Sequence, residues 1–87
     1  MAVRVHPRVN TRHPDIDDED AIAAFRNTLR SMPREGTGFP PTWVGVGVDS
    51  KGRLLEYVAI NDGPEQWLIF HAMQATTRVL REVGLRR

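Results

Sequence analysis

The strongest constraint on this chain lies between Trp43 and Ile60. Two apolar runs there are joined by Asp49-Ser50-Lys51-Gly52. Val44, Val46 and Val48 alternate with Gly45 and Gly47 on the first run, and Leu54 to Ile60 form the second, with Glu56 as its one carboxylate. Apolar strands flanking a short polar connection that ends in glycine make a β-hairpin. The connection reads as a type I turn whose glycine takes the left-handed position. That register sets Val48 opposite Leu54 and Val46 opposite Glu56. It also lays Tyr57 over Gly45, where the missing side chain leaves room for the ring.

The rest of the second half extends the sheet. Asn61-Asp62-Gly63-Pro64 reads as the next turn and Trp67 to Met73 as a third strand. Thr76 or Thr77 then starts a helix with Val79, Leu80 and Val83 as its apolar stripe and Gly84 as its C-cap. In the first half, Val3 and Val5 alternate with Arg4 and His6 as a short edge strand, limited by Pro7. Residues 7 to 16 read as irregular, or as one helical turn between Pro7 and Pro14. Asp17 or Asp18 caps a helix whose first turn carries Glu19 and Asp20, the right charge for the positive end of the helix dipole. Ile22, Phe25, Leu29 and Met32 repeat at helical spacing and carry this helix as far as Pro33. Alternatively it stops near Asn27, and Leu29 to Met32 start a strand. Residues 33 to 41 hold three prolines and two glycines and read as a loop. The expected fold is a single α+β domain over residues 1–87. It has a small antiparallel sheet of three to four strands, an N-terminal helix and a C-terminal helix.

At 87 residues the chain is one small domain. It buries only about 60–65% of its unfolded surface, so a stabilising partner fits it. The absence of cysteine excludes disulfides, cysteine–zinc sites and thiol catalysis. No apolar run approaches the length of a membrane span, and Met1 to Val9 lack the apolar core of a secretory signal. A cytoplasmic protein, away from membranes, is the expectation. The net charge is +1, unevenly spread. Arg4, Arg8 and Arg12 stand near the start with His6 and His13, and Arg78, Arg81, Arg86 and Arg87 near the end. Lys51 is the only lysine. Arginine suits bidentate contacts to phosphate, and it is also what a GC-rich genome encodes.

The candidate chemistry centres on Glu56 and His71. A six-residue connection between their strands places them directly opposite; a four-residue one places them diagonally, still on one face. A carboxylate beside an imidazole favours the charged ring and makes a general acid or base for work near neutral pH. The competing reading is a polar cross-strand pair that adds stability without chemistry. Arg78 and Arg81, three apart on the last helix, share a face that can hold phosphates or simply be solvated, with Glu82 pairing to Arg78. Arg26 and Arg30, four apart on the first helix, would extend a basic surface with Arg53 suited to an RNA backbone. Tyr57, Trp43 and Trp67 can stack on bases or pack in the core. The acidic run Asp15 to Asp20 lacks calcium-loop spacing and fits helix-start charge better than a cation site. No phosphate loop, dinucleotide fingerprint or nucleophile elbow is present, so neither metal nor cofactor is expected.

Three stretches resemble a known family. Arg12-His13-Pro14-Asp15-Ile16-Asp17 is similar to a basic-histidine lead into a helix. Asp49 to Glu56 is similar to a hairpin ending in Gly-Arg and an apolar strand. Ile69-Phe70-His71-Ala72-Met73-Gln74-Ala75-Thr76-Thr77-Arg78 is similar to a strand-to-helix junction. Together they resemble the RelE-like ribonuclease toxins of type II toxin–antitoxin pairs, in particular the BrnT-like branch. The family's junction serine and arginine are His71 and Met73 here. The resemblance implies endoribonucleolytic cleavage of RNA, on or off the ribosome, without metal, and a cognate antitoxin as partner. His71, assisted by Glu56, would move protons. Arg78, Arg53 and Arg81 would hold phosphate charge, and Tyr57 would serve as reserve acid or stacking platform. The alternative is a non-catalytic α/β module that binds protein or nucleic acid, with a homodimer as one form.

Overall fold

The computed structural model describes every residue except Thr37, Phe39 and Arg87. Thr37 and Phe39 belong to the expected loop and Arg87 to the basic C-terminal run, so those parts of the reading lie outside the described residues. The elements, in chain order, are β1 (Ala2–Val5), α1 (Arg8–Arg12), α2 (Asp18–Arg26), β2 (Thr28–Arg34), β3 (Thr42–Val48), β4 (Leu54–Gly63), β5 (Gln66–Gln74) and α3 (Thr77–Glu82). The strands form one five-stranded sheet in the order β1-β5-β4-β3-β2. β1 runs parallel to β5 and every other pair is antiparallel.

This corrects the expected fold of three to four antiparallel strands between two helices. Among the described residues the sheet is mixed and has five strands, and there are three short helices. The main cause is where α2 stops. Asn27 closes it, donating from its backbone to Ala23 and from its side chain to Val48. Leu29 and Met32, which continue the helical spacing, lie instead on edge strand β2, 55% and 38% exposed. What α2 buries is Asp20, Ala21 and Ala24. Pro33 and Arg34 also leave the expected loop for β2. An edge position tolerates the proline's missing donor.

The hairpin register is as read from the sequence. Val48 pairs with Leu54, Val46 with Glu56 and Gly45 with Tyr57, and Gly52 has φ +79°. The next connection differs. Asn61, Asp62 and Gly63 belong to β4, and the turn is Pro64-Glu65 alone, with Glu65 at φ 54°. Two register shifts interrupt the β4–β5 ladder. They leave Asp62 and Phe70 without partners.

The sheet separates two cores. On one face α1 and α2 cover Leu55, Tyr57, Ala59, Ile69 and Ala72, with Val9, Ile16, Ala21 and Ala24. Contact is close there: a side-chain carbon at Gly47 would sit 1.9 Å from the Ala24 carbonyl oxygen. On the other face α3 seals Val44, Val46 and Val58 with Val79 and Val83. The six-residue helix leaves part of this face uncovered: among the described residues Phe70, His71 and Met73 stay partly exposed beside it.

Candidate functional site

The bulge in β5 builds the site. Val58 pairs with His71 and Ala59 with Ile69, so Phe70 is an extra residue. Ile69 and Ala72 both point into the helix-covered core, and Phe70 and His71 together line the opposite face. Plain alternation would have separated them. Glu56 pairs with Met73 in the ladder and stands diagonal to His71. This is the diagonal arrangement, and it brings Oε2 of Glu56 within 2.9 Å of Nε2 of His71.

Glu56 is only 5% exposed. Its other oxygen accepts from the Thr76 backbone N–H at 2.8 Å and the Thr76 hydroxyl at 2.6 Å. Thr76 is also the N-cap of α3, accepting from Val79 N–H at 3.3 Å. Burial is the largest single influence on Glu56 and opposes its charge. The hydrogen bonds from Thr76 and His71 together outweigh it and hold the carboxyl below the ordinary glutamate range. An ionised carboxylate only accepts, so the hydrogen on Nε2 of His71 lies in this bond and Nδ1 of the neutral ring is the acceptor. Among the described residues nothing hydrogen-bonds Nδ1, and the His71 side chain is 28% exposed.

Around this pair lies a cleft of ≈ 510 Å³. Val58, Phe70, Met73 and Val79 give it an apolar floor, and Arg8, Arg34 and Arg78 give it positive charge. Arg34 is joined to Glu82 by two hydrogen bonds of 2.9 Å, which pull the Glu82 carboxyl down. Arg78 is exposed and makes no hydrogen bond or ion pair among the described residues. A larger hollow of ≈ 670 Å³ lies between Pro40, Pro41, Trp43 and residues 61–63. Its one ionisable group, Asp62, is tied to Arg4.

Of the residues chosen from sequence, the cleft gathers Glu56, His71 and Arg78. Arg53 is not there. It bonds Asp49 at 2.7 Å, Asp20 at 3.0 Å and the Asp15 carbonyl at 3.0 Å, beside Lys51. Buried Asp20 and Asp49 need those cations: burial opposes their charge most, and the hydrogen bonds more than offset it. Tyr57 is on the wrong face of the sheet. It is 3% exposed, its hydroxyl lies 2.8 Å from that of Thr28, and burial pushes its phenol up. Arg26 and Arg30 do not share a helix: Arg26 ends α2 and Arg30 lies on β2. Arg81 is exposed and does not line the cleft. Glu82 pairs with Arg34 rather than Arg78.

Arg8, Arg34 and Thr76 also line the cleft, and the sequence reading assigns none of them to a site. Thr76 carried a signal, as a helix start. Arg8 carried only its charge, and Arg34 sat in a stretch that reads as loop. No group of three or more histidine, aspartate or glutamate side chains among the described residues is arranged to hold a metal ion. No described helix is long and apolar enough to cross a membrane. Comparison of the chain with models of protein families, with curated proteins and with solved structures returns no match.

Proposed function

We propose that the chain is an endoribonuclease acting without metal, the toxin of a toxin–antitoxin pair. The observation that carries the catalytic part is the oriented imidazole: Thr76 fixes Glu56, Glu56 fixes His71, and Nδ1 is left open beside a cationic cleft. The toxin role rests on the resemblance of the three stretches to RelE-like toxins. RNA cleavage by its own 2′-hydroxyl needs a base for that hydroxyl, cations for the phosphorane and an acid for the 5′-oxygen. His71 is suited to proton transfer. Arg78 and Arg8 are suited to the phosphate, and Phe70 offers a ring to a neighbouring base. An antitoxin would cover the same cleft and the open sheet face beside it.

A second reading is favoured by the full engagement of Glu56. A buried carboxylate with both oxygens bonded is also what ties a short helix to a sheet, in a module that binds RNA or protein without cutting it.

Inducible expression of the wild type, His71→Gln and Arg78→Ala separates the two. The expected result is growth arrest and RNA cleavage by the wild type, with at least ~100-fold slower cleavage by either variant. Unchanged toxicity and cleavage in both variants would sink the assignment. RNA binding without cleavage by the wild type would establish the module.

A further inference from the structure

His13 closes α1, its N–H donating to Val9 at 2.9 Å and its carbonyl accepting from Ile16 at 2.9 Å. Pro14 follows and restricts the backbone of His13 to extended conformations. The ring is thereby held beside the cleft, its centroid 6.1 Å from that of His71 and nearly perpendicular to it. It is half-buried, and its nitrogens make no hydrogen bond among the described residues. Two imidazoles so placed are too far apart to bond each other. They are spaced to flank a phosphodiester, each within the ~2.6–3.2 Å reach that proton transfer needs.

Among the described residues the cleft otherwise lacks an acid. Glu56 is ionised and engaged, arginine as a side-chain type does not act as a proton donor in proteins, and Tyr57 is across the sheet. We infer that His13 is the catalytic acid that protonates the leaving 5′-oxygen of RNA, opposite His71 as base. The inference rests on the ribonuclease reading and names a residue that reading does not use. Nδ1 of His71 takes the proton of the 2′-hydroxyl, whose oxygen attacks phosphorus. The new P–O2′ bond forms as the P–O5′ bond breaks, and the departing electron pair takes its proton from His13. One proton is removed and one supplied, giving a 2′,3′-cyclic phosphate and a free 5′-hydroxyl.

A leaving group that needs no proton tests this directly. Two short oligoribonucleotides are compared, one with an ordinary linkage and one with sulfur in place of the bridging 5′-oxygen. His13→Ala and His13→Gln are expected to cleave the ordinary linkage at least ~100-fold more slowly than wild type, yet the sulfur-bridged one within about threefold of it. His71→Ala should be slow on both. Retained cleavage of the sulfur linkage also shows that the variants are folded. Ordinary cleavage at wild-type rate by the His13 variants, or equal loss on both linkages, overturns the acid while leaving the ribonuclease intact. Cleavage of neither linkage by the wild type overturns the ribonuclease reading and the acid with it.

Discussion

At the scale of single residues, Glu56 determines most of what the cleft can do. It is nearly inaccessible to water, yet it is held in the charged form by three donors. Its folded pKa lies below its ordinary value of 4.5, so its contribution to stability is complete above that pH. The contribution is lost as pH falls through the folded value. Asp20 and Asp49 shift the same way from 3.8 and add to the same acid lability. Glu56→Gln should therefore cost about 1–2 kcal/mol at pH 7 in urea unfolding. The gap from wild type should narrow as pH drops below 4.5, and a gap constant down to acid pH would show that the charge contributes nothing. The meeting of Glu56 and His71 was legible because strand side chains alternate, and a two-residue change in loop length does not alter their face. The place of Arg53 is not legible in the sequence, because nothing in its local pattern reveals that Asp20 and Asp15, more than thirty positions away, end beside it.

At the scale of elements, close approach decides which glycines matter. Gly45 accommodates the Tyr57 ring, as the hairpin register implies, and Gly47 accommodates the backbone of α2. A ring can tilt, but a helix backbone must move as a body. Gly47→Ala is thus expected to destabilise by more than ~2 kcal/mol and to exceed Gly45→Ala, in matched urea titrations. Equal effects would mean that α2 is not seated as described. The same helix shows why periodicity misled at Leu29 and Met32. Their spacing fits a helix, but the valine-and-glycine strand β3 offers an unpaired edge, and β2 pairs with it from Arg30 to Arg34 after an irregularity that skips Leu29. The bulge at Phe70 had no sequence signature either, since only the competition between two packed faces sets the ladder shift.

At the scale of the whole molecule, the candidate site follows from unequal cover on the two sheet faces. Two helices close one face and a six-residue helix only partly closes the other, so the cleft forms where cover ends. Arg8 from the first helix and Arg78 from the last meet there, although seventy residues separate them. Each should add to RNA-backbone affinity. Removing both is expected to weaken binding of single-stranded RNA and to lower the slope of log affinity against log salt by about 0.7 per arginine. An unchanged slope would place the RNA elsewhere. The sequence by itself determined the hairpin and its register, the shared face of Glu56 and His71, the start of the last helix and the absence of thiol chemistry. These depend on alternation, turn chemistry and composition, which act over a few residues. Only the tertiary structure decided the fifth strand, the parallel pairing of β1, the commitment of Arg53 to the hairpin's acids, and the placing of Arg8, Arg34 and His13 around His71. Each of these depends on which distant segments compete for the same backbone donors, charges and apolar surface, and that competition is settled only when the whole chain has packed.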